Sequence, residues 1–385
     1  MQWNWQRTDW PEFAWQRSRL TRAEQQFLLG GGVFAGTLKH LSRADSDELM
    51  VNALSVEAVT TSEIEGEILD RASVQSSIRG QLGFATDHRR VRPEEEGIAE
   101  MMVDLHRSFA EPISDERLFT WHRMLTRGRR DLTDVGRYRR HPEPMQIVPG
   151  PMRAPAVHFE APPSPDVPRE MSRFIDWFNQ TGPDGTKPLP ALTRAGIAHF
   201  YFVSIHPFEG GNGRIGRGIA EKALAQGLGR PTLTALAATV LAKRKSYYEM
   251  LERSSRGDEI TDWLCWFAAV AIEAQRHARA LVEFVIDKAH RLDRMQGQLN
   301  ERQRKALVRV LREGPEGFTG GLSAGNYIAI TKASPATATR DLADMVTKGA
   351  LTRAGERRHA RYIAAIPMRP VVPVRIDQDG HIVEA

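Results

Sequence analysis

The sequence predicts a mainly α-helical protein, and three observations support this. Apolar residues recur at helical spacing through most of the first 300 residues, and almost no strongly alternating strand pattern interrupts them. The main break is a proline-rich passage at residues 142–165. With 385 residues, of which 41% are hydrophobic, the chain is long enough for two or three domains and can bury a sizeable core.

The helices are predicted in order from apolar residues three or four positions apart. Successive helices are expected over residues 23–109, and one of them carries Leu54, Val56 and Val59. Further helices are expected at residues 115–125, 168–179, 192–205, about 212–226 and 258–288. Residues 146–157 hold several prolines and a glycine, and they predict a short, irregular hairpin.

The last section has a different pattern, with short helices followed by a hairpin. Helices are expected at residues 300–311, 324–330 and from Ser334–Pro335 to Gly349, because serine caps a helix and proline suits its first turn. Residues 351–363 predict a two-stranded wing, so the order resembles a winged helix-turn-helix over residues 295–366. Residues 367–385 are expected to form a C-terminal extension.

The proposed exposed helix and wing carry cations that suit nucleic acid. The helix contains Thr337, Thr339, Arg340 and Lys348, together with the acids Asp341 and Asp344, and the wing adds Arg353, Arg357, Arg358, His359 and Arg361. A basic wing can follow DNA phosphates, but a solvated surface or a dimer contact fits the same residues. The sequence leaves these alternatives open.

Composition indicates a cytoplasmic protein. Cys265 is the single cysteine, which excludes an internal disulfide, and the apolar run around it at residues 263–272 is too short to cross a bilayer. The N-terminus lacks the apolar segment of a signal peptide. A net charge of +5 and a pI of about 9.4 permit DNA or acidic partners without requiring either.

The most informative stretch is residues 206–217, which read His-Pro-Phe-Glu-Gly-Gly-Asn-Gly-Arg-Ile-Gly-Arg. It joins two predicted helices, and the unpaired N–H groups at the start of the second can hold an anion. Glycines let a ligand approach the backbone, and the forks of Arg214 and Arg217 suit phosphate oxygens. His206 titrates near neutrality and is the obvious general base.

This loop resembles the H-P-F-x-[D/E]-G-N-G-R-x-x-R motif of the Fic (filamentation induced by cAMP) family, most members of which transfer AMP from ATP to a protein hydroxyl. The resemblance implies a Fic-type helical bundle with a short β-hairpin flap. It assigns His206 to proton removal and the contacts with the nucleotide to Glu209, Gly210, Gly211, Asn212, Gly213, Arg214, Arg217 and Tyr248. ATP is the implied substrate, and the implied partner is a protein with a Ser, Thr or Tyr hydroxyl.

One position departs from the motif, because Gly210 stands where the family has its magnesium-binding acid. Magnesium prefers oxygen ligands and usually bridges a carboxylate and phosphates. Three alternatives stay open: Glu209 substitutes for the missing acid, phosphates and water hold the ion, or activity is weak. No metal ligand is therefore assigned.

Residues 61–66, Thr-Ser-Glu-Ile-Glu-Gly, resemble the family's inhibitory motif [S/T]-x-x-x-E-[G/N]. The resemblance implies an inhibitory helix near residues 55–67, in which Glu65 pairs with Arg217 and excludes the γ-phosphate of ATP. It also divides the chain into an N-terminal helical region at 1–110 and a Fic catalytic core at 111–290.

Three functions remain in competition at this level. The first is AMP transfer restrained by Glu65, and the second is removal of AMP from a target by a Fic enzyme that needs Glu65. The third is a nucleotide-responsive regulator that binds DNA through residues 295–366. A homodimer whose interface covers the inhibitory helix would suit any of them, and no membrane partner is expected.

Overall fold

A computed structural model describes residues 2–87, 89–147, 159–312, 320–356, 359–364 and 370–385. Within these ranges the protein is mainly helical, which confirms the predicted fold class. The helices are α1 Arg17–Leu38, α2 Arg43–Ile64, α3 Arg71–Gln81, α4 Pro93–Arg107, α5 Asp115–Leu125, α6 Val167–Gln180, α7 Ala191–Ile205, α8 Asn212–Leu228, α9 Leu236–Ala242, α10 Arg244–Ser254, α11 Thr261–Arg294, α12 Glu301–Arg312, α13 Ala324–Thr331 and α14 Pro335–Thr347.

The strands are short and form three antiparallel pairs. They are β1 Gln146–Ile147 with β2 Phe159–Glu160, β3 Leu351–Ala354 with β4 Arg361–Ala364, and β5 Val374–Ile376 with β6 Ile382–Glu384. The tip of the first hairpin, residues 148–158, lies outside the described residues. Most of the hairpin predicted at residues 146–157 therefore stays a prediction.

Several helices begin where the sequence places a capping side chain. Ser114 accepts a hydrogen bond from the N–H of Arg117 at 3.3 Å and starts α5. Ser334 accepts one from the N–H of Thr337 at 3.3 Å, and Pro335 follows in the first turn of α14, as expected. Each such cap contributes about 1 kcal/mol, because it satisfies an N–H that the helix itself leaves unpaired.

The chain divides into two compact units. Unit 1 comprises Met1–Ala35, Ser46–Ala278 and Val372–Ala385, and unit 2 comprises Gly36–Asp45 and Arg279–Val371. Residues on both sides of the expected boundary at position 110 thus belong to unit 1. The C-terminal extension contributes the β5–β6 hairpin to unit 1, where Val374 and Ile376 are buried.

The core of unit 1 is built around α7 and α8. Almost every residue of α7 is buried, including Phe200, Phe202 and Ile205 at its C-terminal end. The two helices approach closely because residue 216 is glycine: a Cβ there would lie 2.9 Å from a methyl of Val203. Burying each large apolar side chain contributes about 1.5–3 kcal/mol, so the ends of α7 and α8 are held rigidly.

Within the described residues, unit 2 packs α12, α13, α14, the C-terminal part of α11 and the β3–β4 hairpin around a second core. Its largest buried side chains include Leu307 of α12, Tyr327 of α13, Leu342 of α14 and Leu351 of β3. Leu322 pairs with Tyr362 in an isolated antiparallel bridge, which places a third chain segment beside β4.

Cys265 is buried in α11, and burial raises the pKa of its thiol to about 11. This agrees with the interpretation of Cys265 as a packing residue and not a nucleophile. Among the described residues, none of the helices has both the length and the apolar character needed to cross a membrane.

Candidate active site

The motif at residues 206–217 forms a tight bend between α7 and α8. His206 follows α7 in the left-handed conformation, with φ 50° and ψ 59°, and its N–H closes the helix on the carbonyl of Phe202 at 3.0 Å. Gly211 is also left-handed, with φ 78°, and it precedes the first residue of α8. Two left-handed residues therefore reverse the chain and bring the imidazole to the start of α8.

The side chain of Phe208 anchors this bend. It is fully buried and stacks on His122 of α5, with ring centroids 4.3 Å apart. Nδ1 of His122 accepts a hydrogen bond from the N–H of Gly136 at 3.0 Å, and burial lowers the pKa of His122 to about 4. His122 is thus a neutral structural support beneath the bend.

Asn212 closes the bend with its own side chain. Its Oδ1 accepts from the N–H of Phe208 at 3.0 Å, and its Nδ2 donates to the carbonyl of Phe208 at 2.7 Å. Both polar atoms of this buried amide are therefore engaged within the loop. The part of Asn212 that remains for a ligand is its backbone.

Arg139 holds the bend from the other side, and the sequence analysis missed it. Its Nε donates to the carbonyl of His206 at 2.8 Å, its Nη2 reaches the carbonyl of Ile205 at 3.4 Å, and its N–H donates to Pro207 at 2.9 Å. The side chain is 1% exposed, and burial lowers the pKa of Arg139 to about 10. Three consecutive carbonyls are thus fixed by one residue.

The imidazole of His206 is partly exposed and poised to accept a proton. Its Nδ1 lies 3.3 Å from the carbonyl of Val203, which places the proton on Nδ1 and leaves the lone pair of Nε2 available. Burial lowers the pKa of His206 to about 4, and the positive charge of Arg139 acts in the same direction. The ring is therefore neutral at physiological pH.

Arg217 is the more deeply buried of the two arginines, at 2% exposure. Its Nε donates to the hydroxyl of Thr61 at 2.7 Å, and its Nη2 donates to the carbonyl of Thr61 and to Glu65 Oε1, both at 2.8 Å. The predicted pairing of Glu65 with Arg217 is therefore present in this structure. Burial favours the neutral carboxyl, but the charge and hydrogen bond of Arg217, together with the charge of Arg214, outweigh this and lower the pKa of Glu65.

A second carboxylate of the same segment pairs with the second arginine. Glu67 Oε2 lies 2.5 Å from Nη1 of Arg214, which is itself only 4% exposed. Sequence reasoning missed Glu67, because the inhibitory motif ends at Gly66 and the contact spans 147 positions. The side chains of Glu65 and Glu67 each remain 31% exposed, so solvent reaches both acids.

The carboxylate of Glu65 lies directly on the start of α8. A Cβ at Gly213 would fall 2.1 Å from Glu65 Oε1 and 3.1 Å from Arg217 Nη1. Nη1 of Arg217 and Nε of Arg214 are buried donors without a hydrogen-bond partner among the described residues. Unpaired guanidinium N–H groups beside a helix N-terminus make a receptor for an anion, and Glu65 covers it.

Glu209, the acid beside Gly210, is held within the fold through one of its two carboxylate oxygens. Its Oε2 accepts hydrogen bonds from the N–H groups of Thr133 at 2.7 Å and Asp134 at 3.0 Å, which ties the loop after α5 to the bend. Beside Gly210 there is room, since the nearest atoms to a Cβ would be methyls of Leu132 at 3.8 Å. Among the described residues of the bend, Oε1 of Glu209 is thus the carboxylate oxygen left for a divalent cation, and position 210, where the family has its magnesium contact, carries none.

Tyr248 of α10 lies at the end of the segment that carries Glu65. Its hydroxyl donates to the carbonyl of Ile64 at 3.4 Å, and its ring packs on Tyr247 with centroids 5.0 Å apart. Tyr247 in turn has its hydroxyl 2.8 Å from Nε2 of the buried His199. Tyr248 thus adjoins the segment that carries Glu65, while Tyr247 belongs to the core.

The N-terminal segment supports the base of the first hairpin. Trp5 Nε1 donates to the carbonyl of Glu160 at 2.6 Å, and Trp3 meets Phe159 edge to face at 5.2 Å. Asn4 is fully buried and donates to the hydroxyl of Ser204 at 3.2 Å, two residues before His206. The N-terminal segment therefore contacts both the base of the first hairpin and the end of α7, just before the bend at residues 206–217.

Comparisons with known proteins agree with this geometry. Residues 112–224 match the Fic/DOC family, and residues 3–84 match a domain of unknown function, DUF4172. Two curated relatives, both named protein adenylyltransferase Fic, come from Nematostella vectensis (31% identity over 103 residues) and Drosophila willistoni (33% over 105 residues). Each match covers 26% of this chain, which spans only 22% and 19% of the length of those relatives.

Solved structures share the fold at low identity. A Fic family protein from Desulfovibrio desulfuricans G20 has a TM-score of 0.52 at 19% identity, covering 90% of this chain and 96% of that one. A Fic domain signalling protein from Bacteroides thetaiotaomicron VPI-5482 gives 0.50 at 17%, covering 68% and 98%. Fic-1 from C. elegans, residues 134–508, gives 0.50 at 19%, covering 69% and 74%.

Proposed function

We propose that this member of the Fic family, whose Fic/DOC domain lies at residues 112–224, transfers AMP from ATP to a Ser, Thr or Tyr hydroxyl of a target protein. The observation that carries the proposal is the pair of buried arginines with unpaired N–H groups at the start of α8, next to an imidazole with a free Nε2. A triphosphate satisfies those donors, and a hydroxyl held beside Nε2 can lose its proton.

The transfer step can be written in full with the residues of this site, ATP and the target hydroxyl. The target oxygen attacks the α-phosphorus of ATP, its proton passes to Nε2 of His206, and pyrophosphate leaves as the bond to the bridging oxygen breaks. Arg214, Arg217 and the first N–H groups of α8 hold the phosphates and stabilise the charge that develops on them. Arg139 keeps the backbone of His206 fixed, so that the imidazole meets the incoming hydroxyl in one orientation.

The resting state is inhibited by two acids. Glu65 competes with the terminal phosphate for Arg217, and Glu67 competes with the rest of the phosphate chain for Arg214. Because both guanidiniums are almost fully buried, neither can turn to a new partner while its carboxylate stays in place. Activation therefore requires that the segment after α2 moves.

The test of transfer uses ATP labelled in the α-phosphate. The wild-type protein, Glu65→Gly and Glu65→Gly/His206→Ala are each incubated with labelled ATP and a cell lysate. Labelled protein should appear with Glu65→Gly and disappear in the double variant. Absence of label in all three, with intact folding by circular dichroism, would rule out the transferase.

The contribution of Glu67 is separable from that of Glu65. In a Glu65→Gly background, Glu67→Gln is expected to tighten ATP binding by a further factor of about ten, because it removes a charge-assisted hydrogen bond that competes for Arg214. In the wild-type background the effect should be small, since Glu65 still covers Arg217. Titration calorimetry measures both, and Glu63→Gln, which removes a charge four positions earlier near the end of α2, is the matched control.

Replacement of Gly210 tests the metal contact. There is space for a side chain at this position, so Gly210→Asp should fold and should lower the Mg²⁺ concentration needed for ATP binding, on the order of tenfold. Gly210→Asn has the same shape without the charge and serves as the control. Equal Mg²⁺ dependence of the two variants would show that the cation does not lie beside residue 210.

A further inference from the structure

The helices α13 and α14 of unit 2 form a compact pair joined by a short turn. Lys332 ends α13 in the left-handed conformation, with φ 59°, and Ser334 caps α14. Ala338, Leu342 and Met345 are completely buried on the inner side of α14. The opposite side of this helix is consequently left to solvent.

The two acids of α14 are held by neighbouring side chains. Asp341 was expected on the exposed helix, but it is 7% exposed and accepts hydrogen bonds from Arg302 at 3.0 Å and from the hydroxyl of Tyr327 at 2.9 Å. Asp344 pairs with Lys348 at 2.5 Å and accepts from Gln303 at 2.8 Å. Each carboxylate is therefore neutralised within unit 2.

The exposed residues on the outer side of α14 include small side chains and a cation. Ala336, Thr339 and Arg340 are exposed, and Thr339 and Arg340 lie three and four positions after Ala336, one turn further along the same side of the helix. Among the described residues, Arg340 makes no ion pair, and neither does Lys332 in the turn. Arg340 can therefore approach a polyanion without first breaking an ion pair, and the acid one turn away, Asp344, is neutralised by Lys348.

The β3–β4 hairpin adds a second basic element. Arg353 is exposed opposite Tyr362, and Arg361 is paired with Ala354 across the hairpin. Cations on a hairpin next to an exposed helix suit the phosphates on either side of a groove.

We propose that unit 2 is a winged helix-turn-helix that binds duplex DNA, with α14 in the major groove and the β3–β4 hairpin on the backbone. An α-helix with its side chains is about 10–12 Å across and fits a major groove about 12 Å wide, and the 13 residues of Pro335–Thr347 extend roughly 20 Å along it. Arg340 supplies the contact with base edges, and Arg353 supplies a phosphate contact. This activity is independent of AMP transfer, because none of its residues belongs to the site at residues 206–217.

The test uses the full-length protein and a pool of random-sequence duplexes at about 50 mM salt, where phosphate contacts are strongest. Bound duplexes are recovered over successive rounds, and fluorescence anisotropy measures the affinity for the enriched sequence. Arg340→Ala is expected to weaken that affinity at least about tenfold and to relax the selected sequence. Arg353→Ala should weaken binding to all duplexes alike. It should also reduce the slope of log K against the logarithm of the salt concentration by about 1.

Lys245→Ala is the matched control, since it removes one cation that is 92% exposed in unit 1. Failure to retain any duplex at low salt would overturn the proposal. So would an equal loss of affinity in Arg340→Ala and Lys245→Ala, because binding would then reflect net charge alone. If the protein retains no DNA but forms a dimer that Arg340→Ala disrupts, then a second copy covers α14.

Discussion

Replacing Glu65 with glycine is expected to increase AMP transfer about thirtyfold. The carboxylate competes with a phosphate for Arg217, and a charge-assisted hydrogen bond to a partly exposed acid is worth about 2 kcal/mol. Removing it also clears the space above Gly213, where Oε1 now lies against the backbone at the start of α8. The gain should appear mainly as tighter ATP binding, measured by calorimetry, together with faster labelling by α-labelled ATP.

The matched control is Glu63→Gly, two residues earlier. It removes the same charge and adds the same backbone freedom near the end of α2, but no ion pair of Glu63 exists among the described residues. Equal activation by both variants would mean that loosening the helix, and not freeing Arg217, controls the enzyme.

The Glu65→Gly variant also distinguishes transfer of AMP from removal of AMP. Glu65 touches the anion receptor itself, so it is also placed to orient a water molecule on an AMP-modified protein. If Glu65→Gly releases no transfer but abolishes loss of label from a pre-labelled target, the enzyme works as a de-AMPylase. Release of transfer by the same substitution would instead support AMP transfer restrained by Glu65.

The parts of the site that sequence alone can predict are those that are contiguous. His206 to Arg217 lie within one bend, so motif and helix boundaries locate the base, the glycines and the arginines together. The partner Glu65 was predicted only because the resemblance supplied a second motif. No periodicity in α2 singles it out.

The parts that sequence could not supply arise from long-range packing. Arg139 reaches the carbonyl of His206 across 67 positions, and its role depends on carbonyls that carry no sequence signal. Asp341 was placed on an exposed helix, because the partners that bury it, Arg302 and Tyr327, lie on two other helices.

Replacing His206 with alanine in the Glu65→Gly background should reduce the rate of transfer by a factor of about 100 to 10,000, the range for loss of a general base. ATP affinity should be unchanged, because the imidazole acts on the proton of the target and the phosphates are held by Arg214, Arg217 and α8. A fall in ATP affinity as well would make His206 a binding residue. His290→Ala, which removes an exposed imidazole from α11 in unit 2, is the control.

The pH profile gives an independent check of the same role. Burial and the charge of Arg139 lower the pKa of His206 to about 4, so the active, neutral form is already complete at pH 6. The rate of transfer should therefore fall only as the pH drops through about 4. A solvent-exposed histidine would lose its activity near its pKa of about 6.5, whereas the rate here should not change in that pH range. Arg139→Met removes one of the charges that keep the ring neutral, so this acid limb should move to higher pH. An acid limb that stays in place would assign the titration to a group other than His206.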